Sequence, residues 1–186
     1  MRKIALVLGY GVAHNMYERK QVTYLSFVLH HLRIGKHVFN KADTTVYFGG
    51  GFTSAQNCSE AGSMLLWFSQ QELQKQIGFE MVTGGITARE ILVEFRSRVG
   101  DEPVTIFCEQ SRRRQITFLA QRLFSTYEVV GVPFDAAALS RWQCFMRLVV
   151  YLPLEILTWY VPFLWKIRYR LHQHRLARIR RNRLPG

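Results

Sequence analysis

Strand-forming runs and helical periods alternate about five times between residues 4 and 132, and that alternation restricts the fold more than any single motif. Ile4-Ala5-Leu6-Val7-Leu8 is continuously apolar and stops at Gly9-Tyr10-Gly11, the pattern of a strand covered on both faces. From Arg19 to Leu32, apolar residues at Val22, Leu25, Val28, Leu29 and Leu32 follow a helical three-and-four spacing that ends near Gly35. Thr45-Val46-Tyr47-Phe48 predicts a second strand running into Gly49-Gly50-Gly51. Ser59 stands where the next helix should begin, with Met64, Leu65, Phe68 and Leu73 inward. Phe79 to Val82 reads as a short third strand before Gly84-Gly85, and Ile91, Leu92 and Phe95 place a helix from about Thr87 to Arg98. Val104 to Cys108 is a fourth strand. Ile116, Leu119, Ala120 and Leu123 mark the helix after it, and Tyr127 to Val132 a fifth strand. The expected class is α/β: a doubly wound, Rossmann-like three-layer sandwich with a mostly parallel sheet of about five strands. The chain divides into an α/β domain, residues 1–143, and a C-terminal apolar helical segment with a basic tail, residues 144–186.

With 186 residues, 48% of them hydrophobic, the chain can bury one core, which excludes a disordered or collagen-like protein. Its formal charge of +12 is concentrated at one end. Eight basic residues and no acid follow Trp165 (Lys166, Arg168, Arg170, Arg175, Arg178, Arg180, Arg181 and Arg183), so residues 1–165 carry only +4. Cys58, Cys108 and Cys144 are odd in number and widely spaced, which argues against a disulfide framework or a structural zinc site and suits a reducing compartment. Five apolar residues after Met1-Arg2-Lys3 fall short of the roughly 7–15 of a signal-peptide core, so no secretion signal is expected.

Ligands in such sheets bind beyond the carboxyl ends of the strands, which directs attention to the loops Gly9 to Asn15, Gly49 to Ser59 and Glu109 to Arg114. None carries a complete dinucleotide or P-loop motif. The glycines of the second loop and a helix start at Ser59 could cradle an oxyanion. Glu60, in that first turn, would repel a phosphate beside it and suits a ribose hydroxyl, a cationic group, a metal or a general-base role instead; Ser59 and Glu60 also suffice as a plain helix start. Arg112-Arg113-Arg114, at the end of the fourth strand, could bind a phosphate or carboxylate bidentately or form a solvated helix N-terminus. Cys108 lies beside these cations, which favour a thiolate, while burial would make it a small filler. His14 could face the same edge or stay solvated, and His30, His31 and His37 flank a helix end without catalytic duty. No spaced His, Asp and Glu set defines a metal site.

Val7-Leu8-Gly9, Phe48-Gly49-Gly50-Gly51 and Ser59-Glu60-Ala61 with Met64 resemble, in order and spacing, the YdcF-like family, a domain of unknown function shared with SanA and ElyC. The similarity covers about residues 4–70 and extends to about 135. It implies a Rossmann-like fold, a ligand pocket at the strand ends and a link to cell-envelope metabolism; one branch binds S-adenosylmethionine. Residue by residue it singles out Gly9, Gly50, Gly51, Ser59 and Glu60. Phe48 stands where the family has a small hydroxyl residue. Glu94 corresponds to a family acid, but Arg96-Ser97-Arg98 lacks the Asn that follows. The family's Ser, His and Arg after strand four become Glu109-Gln110-Ser111-Arg112 here, without the imidazole. The expected protein therefore binds a phosphate-bearing or nucleotide-like ligand, with S-adenosylmethionine or an envelope lipid-linked phosphate as candidates and transferase or hydrolase chemistry in cell-envelope metabolism as the reaction classes. Gly9, Gly11, Gly50 and Gly51 shape its pocket, Ser59 caps the helix, Glu60 is the catalytic candidate, and Arg112 and Arg114 hold the anionic group.

Leu148 to Trp165 is almost wholly apolar or aromatic, apart from Pro153, Glu155, Thr158 and Pro162. A membrane span needs about 20 predominantly apolar residues, and a glutamate with two prolines breaks this stretch. Two placements stay open: a broken amphipathic segment on a membrane surface, or a last core helix over Leu148 to Leu157. In the first, Trp159, Tyr160, Phe163 and Trp165 sit at headgroup depth, with Lys166, Arg168 and Arg170 on anionic lipid. The expected location is cytoplasmic, at the inner face of the membrane. The rival partner is nucleic acid, with the protein a non-enzymatic binder or scaffold; Tyr169 alone interleaves its basic tail.

Overall fold

The computed structural model describes residues 3–9, 19–34, 44–51, 59–71, 77–85, 87–132 and 145–181. Gly11, His14, His37, Cys58, Leu73, Cys144 and Arg183 lie outside them. The elements run β1 (Lys3–Leu8), α1 (Arg19–Ile34), β2 (Thr44–Gly49), α2 (Glu60–Ser69), β3 (Gly78–Val82), α3 (Ala88–Val99), β4 (Val104–Glu109), α4 (Arg113–Leu123), β5 (Tyr127–Val132), α5 (Leu152–Tyr160) and α6 (Pro162–Arg181). A 3-10 turn, Gln110–Arg112, leads into α4, and a π-helical turn, Arg147–Tyr151, leads into α5.

The sheet has five strands in the order β3-β2-β1-β4-β5, all parallel. The chain moves outward from β1 through β2 to β3, crosses back to β4, and continues to β5. The order therefore reverses between β1 and β4, which is where sheets of this topology open a crevice. Successive residues of β1 serve opposite faces. Ile4, Leu6 and Leu8 pack with α3 and α4, whereas Ala5 and Val7 pack with α1 and α2. Both faces are covered, which is why β1 and β2 read as unbroken apolar runs rather than alternating ones.

Local signals place the helix starts. Ser59 accepts the Gly62 amide at 3.0 Å and begins α2, while Thr87 and Glu90 form a reciprocal capping box on α3. Pro153 lies in the first turn of α5 and Pro162 opens α6, positions where a missing N–H costs little. The expected break in the C-terminal segment is thus real, falling at Val161 between the two helices.

That segment packs outside α3 and α4 rather than on the sheet. Glu155 and Thr158 are buried on the inner face of α5, and Trp159 packs against the α3/α4 core. Arg89 of α3 lies 4.5 Å from the centroids of both Trp159 and Trp165 and donates to the Thr158 carbonyl at 3.2 Å. Arg168 of α6 reaches back to the Glu155 carboxylate at 2.9 Å, which also accepts from Gln115 at 3.1 Å.

Candidate functional site

Because every strand is parallel, all five carboxyl ends meet at one edge, and backbone bonds extend the ladder beyond it. The Gly9 amide donates to the Gly49 carbonyl at 2.8 Å, and the Gly50 amide to the Val82 carbonyl at 3.1 Å. The first turn of α2 is closed in the same way. Its amides at Glu60, Ala61, Gly62 and Ser63 donate to Gly51 O, Gly50 O, Ser59 Oγ and Ser59 O at 3.0–3.2 Å. Among the described residues, the four first-turn amides of α2 are thus engaged by Ser59 and the glycine-loop carbonyls.

The glycines serve a different purpose. A Cβ on Gly9 would stand 2.5 Å from Glu60 Oε2, and one on Gly50 would stand 2.5 Å from Glu60 Cβ. Both positions are kept bare so that the Glu60 side chain can lie across the ends of β1 and β2. Glu60 and Ser59 are buried there with Gly9, Gly50 and Gly51. Arg112 arrives from the end of β4, and its Nη1 donates to the Gly9 carbonyl at 3.1 Å. Glu60, after β2, and Arg112, after β4, thus converge on Gly9, the residue that follows β1.

The three arginines separate. Arg112 turns to Gly9; Arg113 packs toward Gly131 on β5; Arg114 is exposed on the first turn of α4 and makes none of the described contacts at the strand ends. A cluster of adjacent cations was expected, but the helical turn sends successive side chains about 100° apart. Glu94, the other matched acid, is structural: it accepts the Gly84 amide at 2.7 Å and pairs with Arg98 at 2.5 Å.

Two further residues complete the edge. Tyr24, fully buried on α1, donates its hydroxyl to the Leu8 carbonyl at 2.8 Å, with the Phe107 carbonyl 3.4 Å away, and so closes the floor between β1 and β4. Glu109, 2% exposed, ends β4 and accepts the Ser111 hydroxyl. Tyr24 shares an i, i+4 row with Val28 and Leu32, a sequence signal for an inward position. For Glu109 the only signal was its place as the first acid after strand four.

Electrostatics at the floor follow burial. Tyr24 is raised well above the usual phenol range, first by desolvation and then by the Cys108 side chain, with Arg112 opposing. Burial pushes the Cys108 thiol up to about 12 despite Arg112 and Arg113. Of its two readings, the buried filler is the one realised, because burial outweighs the neighbouring cations. Among the described residues, no group of three His, Cys, Asp or Glu side chains could hold a metal ion.

Of the residues placed at a membrane, Trp159 and Trp165 are half-buried against Arg89, and Arg168 is tied to Glu155; Lys166 and Arg170 are exposed. Among the described residues no helix is long and apolar enough to cross a membrane. Comparison with models of known protein families, with curated proteins and with solved structures finds no match to this chain.

Proposed function

We propose that this chain is a YdcF-like, membrane-peripheral protein that binds a phosphate-bearing or nucleotide-like ligand in the crevice between β1 and β4. The observation that carries the proposal is the convergence of Glu60 and Arg112 on Gly9, at the point where the strand order reverses. Arg112 commits one Nη1–H to the Gly9 carbonyl, and its guanidinium fork suits a phosphate or carboxylate at the mouth of the crevice. Glu60 supplies the complementary group. A buried carboxylate recognises a ribose hydroxyl or an ammonium, and can take a proton from a hydroxyl during transfer or hydrolysis. With the α2 amides engaged, the anionic end of the ligand belongs on the Arg112 side and its hydroxyl or cationic part on the Glu60 side. S-adenosylmethionine fits the same pair, its carboxylate on Arg112 and its ribose or amino group on Glu60; bound there it would supply an activated methyl group.

The test is calorimetric titration of the purified chain with AMP, ADP, ATP, S-adenosylmethionine and inorganic phosphate, with mass spectrometry of any small molecule released on denaturation. One of these ligands is expected to bind. Glu60→Gln and Arg112→Met should each weaken it about 10- to 150-fold, the scale of one charge-assisted hydrogen bond; the ligand-free Tm should stay nearly unchanged in Glu60→Gln and fall modestly in Arg112→Met, which also loses the bond to the Gly9 carbonyl. Equal affinity in both variants, or no binding by the parent chain together with no released ligand, removes the pocket from the protein's function.

A further inference from the structure

α6 carries its apolar stripe on the side away from the protein. Trp165 and Arg168 face inward, to Arg89 and Glu155. Phe163, Ile167 and Leu171 recur at every fourth residue and are 67%, 41% and 65% exposed. A surface helix of a water-soluble fold presents the opposite arrangement, with its apolar stripe toward the core. Lys166 and Arg170 are exposed beside the stripe, also four residues apart. From Lys166 onward the sequence holds eight basic residues and no acid.

We infer that the outward face of α6 is the docking surface for an anionic lipid bilayer. Phe163, Ile167 and Leu171 enter the boundary between headgroups and acyl chains, and Lys166 and Arg170 meet lipid phosphates. The inference rests on the membrane-peripheral part of the proposed function, not on its pocket, and replaces the expected anchors Trp159 and Trp165 with side chains that face outward. Charge complementarity selects the occupant. A second copy would bring two uniformly basic segments together, and a nucleic acid would satisfy the charge but leave most of the apolar stripe in water. An anionic bilayer satisfies both. The stripe covers about two helical turns, roughly 12 Å, so the helix lies along the surface.

The intact chain is sedimented with vesicles of phosphatidylcholine alone and with about one-third phosphatidylglycerol, at low and high salt. Binding is expected only with phosphatidylglycerol and should weaken with salt. The triple variant F163S/I167S/L171S should lose about tenfold in partitioning for each apolar side chain removed. K166Q/R170Q should lose binding mainly at low salt. Because these side chains face away from the core, the Tm of each variant should stay at the parent value, which separates lost docking from lost folding. Parent-like partitioning of the triple variant overturns the assignment of this face while leaving membrane attachment standing. Failure of the parent chain to bind either vesicle, with binding of an RNA oligomer or self-association instead, overturns both.

Discussion

Glu60 Oε2 lies 2.5 Å from the point that a Cβ on Gly9 would occupy, so the carboxylate and the missing side chain exclude one another. At Gly50 the obstruction is the Glu60 Cβ, also at 2.5 Å, with the Ala61 backbone nitrogen at 3.2 Å. The difference predicts two outcomes. At Gly9 the nearest obstruction is the end of the Glu60 side chain, which can swing aside, with the Glu60 Cβ at 3.2 Å giving by a few tenths of an ångström; Gly9→Ala should therefore cost about 1 kcal/mol, less than Gly50→Ala, and reduce ligand affinity as Glu60→Gln does. Gly50→Ala presses on a Cβ and a helix backbone that cannot swing, and should cost roughly 1–3 kcal/mol. Urea denaturation beside ligand titration of the two variants checks the contrast; equal stability losses would contradict it.

Tyr24→Phe should destabilise the fold by about 1–3 kcal/mol, because the Leu8 carbonyl would lose its buried hydroxyl donor. Hydrogen exchange should show the loss concentrated at the ends of β1 and β4. An unchanged midpoint in urea would mean that the hydroxyl does not hold the ends of β1 and β4.

Arg168→Met should cost up to about 3–5 kcal/mol, since it removes the cation bonded to the buried Glu155 carboxylate and leaves only the Gln115 bond and the nearby Arg89 charge to compensate it. Adding Glu155→Met to that variant should restore most of the loss, because two apolar side chains remove the unpaired charge. A double variant as unstable as the single one would show that α6 is held by packing on Arg89 instead.

Alkaline pH should weaken the fold through Cys108. An unfolded thiol ionises near pH 8.5, while the native one is pushed up to about 12. Below pH 8.5 both states keep the proton and stability is full; as pH rises toward 12 only the unfolded state releases it, so stability falls by up to about 1.4 kcal/mol per pH unit. The raised Tyr24 hydroxyl acts in the same direction above pH 10. Chemical denaturation from pH 7 to 11 should show this decline, with a shallower slope in Cys108→Ala. Peptide mapping should find Cys108 unalkylated at pH 8.5 unless denaturant is present.

The sequence by itself determined the order and type of every strand and of the four helices in the sandwich. Those features are local: continuous apolar runs for strands covered on both sides, a hydroxyl cap at Ser59 and at Thr87, and prolines at helix starts. It also marked Glu60, because an acid after a capping serine is visible without tertiary knowledge. What only the tertiary structure decided is which groups meet. The bond from Arg112 to Gly9 joins residues 103 positions apart, and nothing within one turn of α4 distinguishes Arg112 from Arg113 or Arg114 until β1 lies beside β4. The glycines looked like room for a ligand until the fold filled that room with Glu60. The tryptophans looked like membrane anchors until Arg89, some 70 residues upstream, drew them inward and left Phe163 and Leu171 facing out. Local pattern sets backbone conformation because it acts over one or two turns, whereas side-chain partnership depends on the packing of segments far apart in the chain.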